Sequence, residues 1–69
     1  MQQQSNPLTP REITVLFYMA DRDLCVKQVA ELLFISPFTV EGYTKSIRKK
    51  LGVRNLHAAV YVALRHGWI

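Results

Sequence analysis

A single cysteine, Cys25, excludes an internal disulfide, so no covalent staple holds this chain together. A lone thiol suits a reducing compartment. No apolar run approaches the ~18 residues that a membrane-spanning helix needs. The longest, Ala58 to Leu64, has seven. No basic stretch followed by an apolar segment and a cleavage site stands at the N-terminus, so no secretion signal is visible. Glycine is scarce (Gly42, Gly52 and Gly67), and no alternating apolar–polar stretch reads as a strand. Acidic residues are missing altogether after Glu41. The expectation left by these absences is a soluble, cytoplasmic, all-helical domain.

The 69 residues suffice for one domain and no more. A chain of this size buries roughly 60% of its unfolded surface, so it needs a dense core or a partner. A hydrophobic content of 49% can supply the core. Charge is divided unevenly. Up to Glu41, three basic residues (Arg11, Arg22, Lys27) face five acidic ones; from Gly42 on there are six basic residues (Lys45, Arg48, Lys49, Lys50, Arg54, Arg65) and no acid. A basic half on a small domain suits a polyanion such as nucleic acid, although a solvated lysine-rich helix has the same composition. Position has to separate the two.

Residues 1–7 are Gln-rich and aperiodic, and read as a flexible arm or linker. Residues 8–69 read as four helices. Thr9, Pro10 and Glu12 form a capping box with proline at the first helical position, and Leu8 and Ile13 stand at staple positions. Ile13, Leu16, Phe17 and Ala20 continue as an apolar stripe until the polar turn Asp21-Arg22-Asp23. A short second helix is expected from about Val26 to Leu33, with Phe34 and Ile35 as a tight connection. Ser36 caps a third helix that starts at Pro37 and runs to about Leu51, where Gly52 stops it. Asn55 caps a fourth that ends near His66, with Gly67 as the stop and Trp68 folded back over the last turn.

Two helices joined by a three- to four-residue turn describe a helix-turn-helix, with Ala30 as the small contact and Val29, Leu33, Ile35, Val40 and Tyr43 as apolar anchors. An ordinary helical hairpin has the same spacing. On the third helix, at about 100° per residue, Val40, Thr44, Ile47 and Leu51 fall within about 60° of one another and form the core stripe. The opposite face carries Phe38, Glu41, Gly42, Lys45 and Lys49; Thr39, Ser46 and Lys50 flank it on one side and Arg48 on the other. A helix that enters the major groove needs one anchored side and an outer face of small or hydrogen-bonding residues rimmed by cations. Gly42 suits close approach to base edges, or else is drift on a solvated surface. Phe38 suits a thymine methyl group, or else a cover for the turn.

The ordered set Leu8-Thr9-Pro10-Arg11-Glu12, Val29-Ala30, Leu33-Phe34-Ile35-Ser36, Thr39-Val40, Lys50-Leu51-Gly52-Val53-Arg54-Asn55 and Ala59-Val60 resembles the LuxR/FixJ-type (GerE-like) helix-turn-helix domain over about Leu8 to Ile69. The resemblance implies the DNA-binding output domain of a bacterial transcription regulator, with a possible upstream sensor or receiver domain. It implies a third helix in the major groove of double-stranded DNA and a fourth helix that pairs two copies. Its base-facing positions correspond to Glu41, Gly42 and Lys45, and its backbone-contacting positions to Lys27, Thr39, Lys49 and Arg54. Phe38 joins the first group and Ser46 the second from the wheel alone. Tyr43 stands where the family commonly has histidine, and Glu41 where a cation is frequent, which implies an altered sequence preference. Cys25 and Val26 stand where the family usually opens the second helix with Ser/Thr and a polar residue, and together with Glu41 they keep open a rival reading, a protein-interaction module that retained the fold and lost DNA affinity.

On the fourth helix, Leu56, Ala59, Val60, Ala63 and Leu64 are expected to face the core. Ala58, Tyr61, Val62 and Arg65 form a second face, expected to pair two copies; packing of Tyr61 and Val62 on the N-terminal arm is the alternative. Cys25 is distant in sequence from His57 and His66, no metal-ligand spacing occurs, and no cofactor or catalytic constellation is expected.

Overall fold

The computed structural model describes residues 6–69, and the part of the expected arm at 1–5 lies outside them. Four helices follow one another: α1 (Pro10–Asp21), α2 (Val26–Leu33), α3 (Pro37–Leu51) and α4 (Leu56–His66). No strand occurs among the described residues.

Each helix starts where a side chain satisfies an otherwise orphaned backbone N–H. Thr9 Oγ1 accepts from the Glu12 N–H at 3.2 Å, and Glu12 Oε1 accepts from the Thr9 N–H at 2.8 Å. Gln28 Oε1 accepts from the Cys25 N–H at 2.9 Å at the head of α2. Ser36 Oγ accepts from Thr39 N–H at 3.2 Å, and Asn55 Oδ1 from Ala58 N–H at 2.8 Å. Three helices stop the same way, on a left-handed residue: Phe34 at φ 58°, Gly52 at φ 67° and Gly67 at φ 73°. The next N–H then folds back onto the helix, as Trp68 does onto the Ala63 carbonyl at 2.8 Å. Glycine takes this conformation freely, whereas Phe34 bears a cost of roughly 1–2 kcal/mol.

Two apolar clusters hold the helices together. Val15, Val29, Ala30 and Val40 are buried where α1, α2 and α3 meet, and Leu33, Ile35 and Tyr43 pack around them. Leu8, Leu16, Ile47, Ala59 and Ala63 are buried where α1, α3 and α4 meet, with Ile13, Leu56, Val60, Trp68 and Ile69 against them. The helix-turn-helix anchors therefore sit as expected. The stripe on α1 does so only in part: Leu16 is buried and Ile13 packs against the core, but the other two members are outside. Phe17 and Ala20 are exposed, while Glu12, Val15 and Leu16 are buried. The inward face is rotated by one residue, about 100°, because α1 is covered on two sides and Glu12 points inward. On α4, Leu64 is 59% exposed and so leaves the expected core set. It lies about 80° from Leu56 around the helix, at the margin of the buried face.

Candidate nucleic-acid interface

Val40, Thr44 and Ile47 are buried and pin one side of α3 into both clusters. Thr44 does not leave a polar atom stranded there, because its Oγ1 donates to the Glu41 carbonyl at 2.8 Å. The opposite side is open. Phe38 is 82% exposed, and Glu41, Gly42, Lys45 and Lys49 are all exposed. A Cβ added at Gly42 would meet nothing within 4 Å. Packing inside the domain therefore does not require glycine at this mid-helix position, where it costs roughly 1 kcal/mol relative to alanine.

Lys27 in the first turn of α2, Thr39 in the first turn of α3 and Arg54 in the α3–α4 turn are exposed as well. Lys27, Lys45, Lys49 and Arg54 form no ion pair among the described residues. Their charge remains available to a polyanion.

Ser46 behaves differently from its expected place at a DNA backbone. Its hydroxyl is half-buried and donates to Glu12 Oε2 at 2.6 Å. Lys50, four residues on, donates from Nζ to Glu12 Oε1 at 2.9 Å. Glu12 is 3% exposed, and each carboxylate oxygen has a donor. Burial alone raises the pKa of this carboxyl. The Ser46 hydroxyl, the Thr9 N–H and the Lys50 ammonium outweigh that and bring it from 4.5 to about 2. The same side chain thus closes the cap of α1 and clamps α3. Only the cap is legible in the sequence. The available signal was Ser46 and Lys50 at i, i+4 on one flank of α3, without any indication of what faced them.

On α4, Ala58 and Val62 are half-buried, Tyr61 is 60% exposed, and Arg65 is exposed. Arg65 Nη1 donates to the Tyr61 hydroxyl at 3.1 Å, and its guanidinium carbon lies 5.7 Å from the centroid of that ring. Exposed Leu64 lies on the same helix. Cys25 and His57, distant in sequence, line one largely apolar groove together with Met19, Leu24, Val26, Leu56 and Val60. Among the described residues no group of three His, Cys, Asp or Glu is placed to hold a metal ion. No helix of these residues is long and apolar enough to cross a membrane.

The family described as bacterial regulatory proteins, luxR family, matches residues 6–63. The transcriptional regulatory protein MctR of Rhizobium johnstonii is 38% identical over 97% of this chain, which covers 31% of that protein. The spore germination protein GerE of Bacillus subtilis is 36% identical over 93% of the chain and is itself covered to 86%. The transcriptional regulatory protein DesR of Bacillus subtilis is 38% identical over 94%, and 32% of it is covered. The chain thus spans about a third of the length of MctR and DesR and most of GerE. With its core-pinned third helix and family match, the chain belongs to the luxR family of bacterial regulatory proteins and is a helix-turn-helix DNA-binding domain of transcription regulation.

Proposed function

We propose that residues 8–69 bind a short, pseudo-palindromic duplex site by placing α3 in the major groove. Phe38, Glu41, Gly42 and Lys45 face base edges, with Glu41 as acceptor for a cytosine amino group and Lys45 as donor to guanine. Lys27, Thr39, Lys49 and Arg54 hold phosphates and fix the register. The observation that carries this reading is the outer face of α3, where a glycine opens onto empty space between cations that have no partner in the domain.

Two copies pair on DNA through Ala58, Tyr61, Val62 and Arg65 of α4, with Leu64 added to that face by its exposure. The lengths of MctR and DesR support a role as the output domain of a longer cytoplasmic regulator with a sensor or receiver domain before it. The relatives' names support regulation in place of catalysis.

A gel-shift titration at ~50 and ~200 mM salt tests the reading, because phosphate contacts predict a steep loss of affinity between the two. Guanine N7 methylation should interfere with binding if the major groove is read. No shift at ~50 mM salt with random-sequence duplex would instead support a protein-interaction module that kept the fold. Sedimentation with and without a selected operator duplex tests the pairing, which strictly monomeric binding to single half-sites would exclude.

A further inference from the structure

Six cations lie in the chain from Gly42 onward, and five of them form no ion pair among the described residues. Lys50 is the exception, and its partner is the least exposed charged group described. We propose that Glu12 is a positioning residue for DNA reading, which sets how α3 sits on α1 and withholds the Lys50 charge from non-specific phosphate contact. The proposal rests on the reading of α3 as the DNA-facing helix.

The geometry gives the two parts of this role separate causes. Glu12 sits in the first turn of α1, and its carboxylate is fixed locally by the Thr9 N–H at 2.8 Å. Ser46 and Lys50 lie one helical turn apart on one flank of α3, and they bind different oxygens of that carboxylate, at 2.6 and 2.9 Å. Apolar contacts at Val40 and Ile47 bring α3 against the core without directional preference, whereas two charge-assisted hydrogen bonds resist rotation about its axis. A rotation of one residue step would replace Gly42 and Lys45 by neighbours on the reading face.

Withholding of the Lys50 charge does not depend on rotation of the helix. Lys50 lies on the flank between the core stripe and the reading face, and it is exposed to solvent there. An unpaired lysine there adds one neutralised phosphate to every sequence alike and so dilutes discrimination. Held by a buried carboxylate, it adds none. The basic last turn of α3 then presents Arg48 and Lys49 to a duplex and keeps Lys50 for the fold.

Binding of a random-sequence duplex and of duplexes selected by the native chain, measured between ~50 and ~200 mM salt, tests this. Lys50→Met should leave the salt dependence of the native chain unchanged, whereas Lys49→Met should flatten it by about 0.9 in log–log slope. Glu12→Gln keeps the cap, since glutamine serves at that position, and frees Lys50. Its affinity should fall about threefold more steeply over that salt range, and its preference for selected over random duplex should narrow. Adding Lys50→Met to Glu12→Gln should restore the native slope, a reversal that loss of packing alone does not produce. A slope that drops in Lys50→Met alone would overturn the proposal even if Glu12→Gln failed to fold. Absence of any DNA binding by the native chain would instead overturn the underlying reading of α3.

Discussion

Protonating Glu12 should cost the fold about 3 kcal/mol, a figure that follows from its surroundings. The carboxyl titrates at about 2 in the folded domain against 4.5 for the ordinary group. At ~1.4 kcal/mol per pH unit, that difference is on the order of 3 kcal/mol of preference for the ionised folded state. The side chain is almost fully buried, so solvent screening removes little of it. Because the folded value is depressed, the contribution is complete above the ordinary carboxylate range. It drains away as pH falls from about 4.5 toward 2. A domain of this size has a total stability of only roughly 3–10 kcal/mol, so the loss is decisive. Urea melts followed by circular dichroism, at constant ionic strength across that range, would measure it. Glu12→Gln is the control, because the general repulsion among cations at low pH acts on both proteins. The native advantage over Glu12→Gln should be about 3 kcal/mol near neutrality and close to zero at pH ~2. A gap that stays constant throughout would refute the claim that Ser46, Thr9 and Lys50 hold this carboxylate ionised.

Gly42→Ala should stabilise the helix by up to about 1 kcal/mol in denaturant melts, since the new methyl group meets nothing. It should also weaken duplex binding in gel shifts, and unchanged binding would remove Gly42 from the reading face. Lys45→Ala should cost about 1–3 kcal/mol on selected duplexes and relax their specificity, whereas Lys49→Ala should weaken random and selected duplexes alike. The opposite pattern in competition titrations would mean the two roles are exchanged. Gly52→Ala should lower stability by about 1 kcal/mol despite open space around it, because the backbone at φ 67° penalises any Cβ. Phe34→Gly should act in the other direction: the side chain is 95% exposed at φ 58°, so relief of strain outweighs lost contact in a thermal melt.

The helix boundaries were legible in the sequence because the forces that set them are local. Thr9, Ser36 and Asn55 each satisfy a backbone N–H three residues on, and Gly52 and Gly67 need only their own freedom of φ. The outer face of α3 was legible for a related reason: once Val40, Thr44 and Ile47 are inside, helical geometry alone puts Gly42 and Lys45 outside. Where a helix meets two neighbours, periodicity no longer decides. The face of α1 turned by one residue, and Leu64 was left at the margin of α4. Cys25 and His57 arrived in one groove although thirty-two positions separate them in the chain. The burial of Glu12 belongs to the same class. A carboxylate can enter the interior only where distant donors converge on it, and Ser46 and Lys50 come from thirty-four and thirty-eight residues away. Local hydrogen bonding drew the four helices, and long-range packing chose which of their polar residues the domain keeps for itself.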